Sequence, residues 1–190
     1  MKKKLTKKEL KEKRHRRWVV NITIATFFMT LLISYISDVL LSNTPIFAAF
    51  IILLVIISLG ILSDIVGIAV TAVSIEPFNA MASKRIKGAK TSVALVKDAS
   101  RVSNFCNDVV GDICSIVSGV ISITIVIQLG NHYPLMNVAL MTLILSSVVA
   151  CFTVGGKALG KDVAMKNGTS IIHGLSVIIA SVKIAIRGKE

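Results

Sequence analysis

Three carboxylates stand in stretches where a carboxylate is costly: Asp64, Asp108 and Asp112. Asp64 lies in a run from Ile46 to Ser74. There Gly60, Asp64, Gly67, Thr71 and Ser74 follow at spacings of four, three, four and three residues, one face of a helix whose other faces are Ile, Leu, Val and Ala. Asp108, Asp112 and Ser115 share a face of a later run that opens with Asn104 and Asn107. An acid in apolar surroundings has to be protonated, hydrated or neutralised by a cation. No Lys or Arg is expected at the depth of these acids, which leaves them without a built-in counter-charge. Their neighbours Ser63, Asn107 and Ser115 offer hard oxygen atoms, which suit Mg²⁺ or a similar cation, whereas softer transition metals prefer His and Cys. The expected metal-ligand set is Asp64 and Asp112, supported by Ser63, Asp108 and Ser115. Two other readings of the same residues stay open. One is a proton relay through the carboxylates. The other is structural: Asp108 and Asp112 wetted at a membrane mouth and capping a helix N-terminus, with Asp64 hydrogen-bonded to a Ser or Thr of another helix.

The elements that must position these side chains are long and apolar. The chain has 190 residues, 54% of them hydrophobic, and a mean hydropathy of +0.78, too apolar for an ordinary soluble domain of this size. A helix needs about 20 apolar residues to cross a bilayer core of roughly 30 Å. Trp18–Leu41, Ile46–Ser74, Cys106–Leu129 and Leu135–Thr153 meet that length. The fold class expected is all-α, a multipass helical membrane protein of four transmembrane helices with juxtamembrane amphipathic helices.

In chain order, residues 1–17 are a basic cytoplasmic arm and residues 18–41 a first transmembrane helix, read as an uncleaved anchor. Asp38, near its outer end, reaches headgroups or water and is not a site. Residues 42–45, Ser-Asn-Thr-Pro, make a tight turn, with Pro45 placed to begin the next helix. Residues 78–104 alternate apolar side chains with Lys84, Arg85, Lys87, Lys90, Lys97 and Arg101, an amphipathic belt on the inner membrane surface, broken at Gly88. Gly111, Ser115 and Gly119 form a small-xxx-small ladder suited to close helix contact. The fourth span ends in Gly155–Gly156–Lys157, a flexible exit without the spacing of a phosphate loop. Residues 169–190 read as an interfacial or re-entrant helix, because crossing would carry Arg187 and Lys189 outward.

The net charge of +12 comes from 22 Lys and Arg against 10 acids, and its placement decides what it means. Ten basic residues fall in 2–17, six in 84–101 and three in 157–166, while the turns at 42–45 and 131–133 hold none. That asymmetry is the positive-inside pattern of a plasma-membrane protein with N- and C-termini in the cytoplasm. The partners it implies are anionic lipid headgroups, not nucleic acid. Cys106, Cys114 and Cys151 have neither CxxC spacing nor a nearby histidine and read as small packing residues. His15, His132 and His173 fall in different compartments. No nucleophile, base and acid converge in the sequence, so an enzyme is not expected.

Residues 46–170 resemble the transmembrane domain of the CNNM/CorC magnesium-transport family, domain of unknown function 21. Where that family has Ser-x-x-Glu-Thr-Ala-Leu-Thr-Ser, this chain has Asp64-Ile-Val-Gly67-Ile-Ala-Val-Thr71-Ala72. A basic belt, Gly88–Arg101, then leads to Gly111–Asp112 at the place of a Gly-Asn-Asn motif, and Thr153–Lys157 occupies the place of Gly-Glu-x-x-Pro-Lys. The resemblance implies a small helical domain of three spans with a belt helix, assembled as a homodimer. It also implies Mg²⁺ held in an inner-facing cavity, with Asp64 in place of the family's Ser and Asp112 in place of its Asn. The motif Glu is Gly67 here, the later Glu is Thr153 and the Pro is Gly156. The family's regulatory nucleotide-binding domains have no counterpart in these residues. The function expected is binding or transport of a divalent cation, Mg²⁺. The alternative is a non-transporting scaffold or accessory subunit that assembles through its small-residue faces.

Overall fold

The computed structural model describes residues 7–42, 44–135 and 137–187. Expectations that fall on residues 1–6 and on the side chains of His15, Asp38, Arg187 and Lys189 lie outside what is described. The described chain is all helix: α1 (Lys7–Ser42), α2 (Ile46–Ala72), α3 (Glu76–Ser83), α4 (Ala89–Lys97), α5 (Ala99–Asn104), a π-helical segment Phe105–Gly111, α6 (Asp112–His132) and α7 (Val138–Arg187). Four stretches are long and apolar enough to cross a membrane: Arg16–Ile36, Ile46–Ala72, Ala99–His132 and Val138–Lys183. This is the architecture of a multipass membrane protein.

The sequence explains where α2 begins and ends. Pro45 has the extended backbone that a helix entry needs, and its carbonyl accepts from the amides of Ala48 and Ala49. Twenty-seven residues without a Pro or a Lys/Arg then run to Ala72, and Pro77 opens α3, where its missing amide costs nothing. The belt folds as α3 and α4 around a turn at Lys84–Gly88. Gly88 holds φ +84°, a conformation natural to glycine, and Val177 of α7 presses on it so closely that a Cβ there would stand 2.9 Å from Val177 Cγ2. The residues after Asp98 do not belong to the belt. They join the π segment and α6 in one rod, so the third span starts at Ala99, earlier than the Cys106 that hydropathy suggests.

The larger correction concerns α7. Gly155, Gly156 and Lys157 are not a flexible exit but lie inside a helical stretch that runs from Val138 to a kink at Asn167 (φ −115°, ψ 16°), beyond which a second stretch runs to Arg187. Gly156 and Gly160 are there for packing, whereas a Cβ at Gly155 would meet nothing within 4 Å. A Cβ at Gly156 would fall inside the Ile61 side chain, and one at Gly160 would stand 2.7 Å from Cγ1 of Ile65. Their absence lets α7 lie directly on α2, the role small residues play between helices in a bilayer. The small-xxx-small ladder on α6 behaves differently: Ser115 is exposed and a Cβ at Gly119 would meet nothing within 4 Å. Among the described residues only its first member, Gly111, is covered, by Lys157 of α7. Beyond the kink, α7 continues past the end of α2 and packs on the belt, with Ile172 buried against Phe78 and Val177 against Gly88.

Two apolar cores result. One joins Ala49 and Leu53 of α2 to Val109, Ile113, Val117, Ile121 and Ile125, with Leu145 and Val149 of α7 packed on it. α1 leans on this core through Ile22 and Ile33. The other joins Ala69 and Val70 to Phe78, Ala164 and Ile172. Ser63 and Asp64 fall between the two. If the α2–α7 contact depends on the missing side chains, Gly160→Val lowers stability by about 1–3 kcal/mol while Gly119→Ala stays within about 0.5 kcal/mol. Thermal unfolding in detergent measures both, and equal effects would refute the packing role.

Candidate functional site

The layer between the cores is where α2, the π segment and α7 converge, and each contact in it has a sequence origin. Ser63, one position before the acid, points to the π segment and donates its hydroxyl to the Cys106 carbonyl oxygen at 2.8 Å. Four residues along α2 from Ser63, Gly67 has no side chain because that of Asn107 fills the space; a Cβ at Gly67 would overlap the Asn107 amide. The Asn107 amide nitrogen donates to Ser103 Oγ at 3.3 Å, but its buried Oδ1 has no partner. One helical turn toward the other core, Gly60 takes up Cys114, whose Cβ would be 3.0 Å from a Cβ at 60. The packing role expected of Cys114 is what the structure shows. Widened π turns are rare and cluster at functional positions, and this one spans seven residues.

Asp64 is not alone. Its Oδ1 lies 3.6 Å from Nζ of Lys157, which reaches across from α7. The side chains are 16% and 29% exposed respectively, so the pair is largely withdrawn from solvent. The separation is longer than the roughly 2.7–2.9 Å of a charge-assisted hydrogen bond; this is a Coulombic contact between an acid and an ammonium that is not locked to it. The same Nζ stands 3.6 Å from where a Cβ of Gly111 would be, so it sits between α2 and the start of α6. The expectation of acids without a basic residue at their depth is therefore overturned for Asp64. The reason lies in α7: treating Gly155–Lys157 as an exit ended the span at Thr153 and placed Lys157 outside it.

The remaining expected ligands are spread out. Asp108 lies in the π segment and Asp112 in the first turn of α6, and both are exposed, as is Ser115, whose hydroxyl donates to the Gly111 carbonyl at 2.9 Å. Among the described residues no three His, Cys, Asp or Glu side chains come close enough to hold one metal ion. The layer thus brings together Ser63, Asp64, Asn107 and Lys157, and leaves Asp108, Asp112 and Ser115 at its exposed margin. Asn107 was legible as an oxygen donor but not as the neighbour of Gly67. Lys157 had a signal too: it falls nineteen residues after the start of α7 at Val138, and Asp64 eighteen after the start of α2 at Ile46. α2 and α7 run parallel, with Gly156, Gly160 and Gly168 meeting Ile61, Ile65 and Val73 in turn, so those counts mean equal depth.

On the same α2–α7 seam an open groove of about 540 Å³ is lined by Phe50, Leu54, Ile57, Phe152 and Leu159. Its walls suit hydrocarbon and offer an ion nothing. No protein-family model, curated protein or solved structure matches this chain.

Two outcomes follow for the layer. Removing one partner of a fully buried pair costs about 3–5 kcal/mol, and exposed pairs are worth about 0.2–1 kcal/mol. For this partly exposed pair, a double-mutant cycle of Asp64→Asn and Lys157→Met should give a coupling of about 1–2 kcal/mol; strict additivity would make the contact incidental. Gly67→Ala should lower the melting temperature, and adding Asn107→Ala should recover most of the loss by vacating the space.

Proposed function

We propose that this chain is a multipass protein of the plasma membrane, with both termini in the cytoplasm, that binds and carries a hydrated divalent cation, Mg²⁺, in the layer between its two cores. The observation that supports this most directly is the run of oxygen donors along one level of α2: the carboxylate of Asp64, the Ser63 hydroxyl beside it in sequence, and the unpartnered Oδ1 of Asn107 against Gly67 one turn on. Mg²⁺ gives up its water reluctantly and is commonly held by one or two carboxylates with several waters retained. A single acid with neutral oxygens beside it suits such an ion; it would not suit Ca²⁺, which takes six to eight oxygen ligands, or a transition metal that takes His and Cys. Asp108 and Asp112, exposed at the margin, supply negative charge along the approach and do not complete the inner shell. The resemblance of residues 46–170 to the CNNM/CorC transmembrane domain supports the choice of Mg²⁺, and homodimerisation belongs to the same reading. The cytoplasmic termini rest on the basic residues, which gather in the arm, in the belt and toward the end of α7.

A second reading has its own observation. Lys157 already balances Asp64, as it would in a non-transporting scaffold or accessory subunit whose polar layer only fixes helix register.

Thermal unfolding in detergent across a Mg²⁺ series separates the two. A bound ion stabilises the native state by mass action, by about 1.4 kcal/mol when present at ten times its dissociation constant. The wild-type chain should melt at higher temperature in millimolar Mg²⁺, Asp64→Asn should lose that response, and Asp112→Ala should keep it with a weaker dependence. A wild-type melting curve indifferent to Mg²⁺ favours the scaffold.

A further inference from the structure

Lys157 has two properties that a purely structural counter-ion does not need. It is held at 3.6 Å, beyond direct hydrogen bonding, and about a third of its side chain is open. Its ammonium also faces the side-chain-free position of Gly111, where no side chain of α6 crowds it. The close approach of α7 at Gly156 and Gly160 sets the root of the lysine against α2 on either side of its own position. The four-carbon stem can therefore swing while the helix stays fixed. The position the ammonium takes, 3.6 Å from Asp64 Oδ1 and between α2 and Gly111, is the position a cation drawn to Asp64 would take.

From this geometry we propose that Lys157 is a tethered occupant of the cation site. Its ammonium neutralises Asp64 when no ion is bound and is displaced when a divalent cation binds. This rests on the cation reading above. It adds a determinant of selectivity. A tethered group competes at an effective concentration in the millimolar range or above. A free monovalent ion brings the same single charge as the ammonium and gains nothing by replacing it. A divalent ion brings twice the charge to Asp64, and that difference drives the exchange. Lys157 thereby sets both the threshold concentration for binding and the preference for two charges over one, without itself coordinating the metal.

The test is a Mg²⁺ titration of the full chain in detergent at constant ionic strength, followed by thermal stability, for wild type, Lys157→Met, Lys157→Gln, Lys157→Arg and Asp64→Asn. Neutralising the lysine removes the competitor, so Lys157→Met and Lys157→Gln should reach half-saturation at roughly tenfold lower Mg²⁺ than wild type, about 1.4 kcal/mol. Lys157→Arg should stay within about twofold of wild type, and Asp64→Asn should not respond. Glutamine is included because methionine cannot hydrogen-bond Asp64, and a folding defect confined to one neutral variant leaves the other to be read. A second readout follows the lysine itself. In the wild-type protein, Mg²⁺ should raise acylation of Lys157 by an amine-reactive reagent, quantified on its proteolytic peptide by mass spectrometry, with Na⁺ ineffective.

The failures are distinguishable. Equal Mg²⁺ midpoints in wild type and both neutral variants, with Asp64→Asn silent, would overturn the tether and leave the cation reading intact. Silence in every variant, Lys157→Met and Lys157→Gln included, would overturn the cation reading and the tether with it. Mg²⁺ binding without any gain in Lys157 acylation would also overturn the displacement.

Discussion

A charge inside an apolar helix has to be answered by something, and the need to answer Asp64 organises this molecule. The answer comes from α7, and Lys157 can give it only because α7 lies close against α2. That closeness depends on Gly156 and Gly160, whose missing side chains make room for Ile61 and Ile65. The apolar cores above and below hold the two helices in that relation, and the π segment turns Asn107 and the Cys106 carbonyl toward the same level. The pair itself contributes little net stability, since withdrawing two charges from solvent offsets most of their attraction. What it contributes is a definite register between α2 and α7.

The polar layer is neutral in sum and unevenly satisfied. Serines elsewhere in the bundle turn their hydroxyls back on their own helices, as Ser118 does to Cys114, Ser122 to Ser118 and Ser176 to Ile172. Ser63 breaks that habit by reaching another element, and Asn107 breaks it by leaving a buried oxygen without a donor. A buried, unanswered acceptor is unfavourable unless water or a ligand completes it. Ser63 adjoins Asp64 in sequence and Asn107 meets Gly67 one turn further along α2, which is why the layer and not the apolar groove carries the functional reading. The buried His173 Nε2, also without a partner, lies apart on α7 beyond the kink.

Much of the fold was legible because apolar length and turn chemistry act locally. Pro45 and Pro77 bracket α2, Gly88 breaks the belt, and the all-helical membrane class follows from runs that are too long and too apolar for anything else. Of the stripe through Gly60, Asp64, Gly67, Thr71 and Ser74, the first three face other helices, while Thr71 and Ser74 are exposed. What escaped was non-local. Hydropathy averages blur a lysine flanked by glycines into the end of a span, although glycine in a helix between apolar neighbours signals contact as readily as termination. The partners of Asp64 and Gly67 lie on other helices, and no pattern internal to α2 can say whether a carboxylate there meets a metal ion, a serine or an ammonium. The Gly111–Ser115–Gly119 ladder is the converse case: its spacing is that of a packing face, yet Ser115 and Gly119 are exposed and only Gly111 is covered.

The order of synthesis gives the Asp64–Lys157 pair a further meaning. Asp64 is made ninety-three residues before Lys157. At translation rates of about 5–20 residues per second, it waits about 5–20 s for its partner. During that interval α2 is a hydrophobic segment bearing a charge that nothing in the nascent chain at its depth can match, and a centrally placed Asp costs about 2.5–3.5 kcal/mol on membrane insertion. The apolar excess of its twenty-seven residues has to carry that cost alone. α7 meets the opposite situation, entering with Asp64 already in place to receive its lysine. Insertion of α7 is thus assisted by α2, and a chain interrupted before residue 157 retains an acid without this counter-charge.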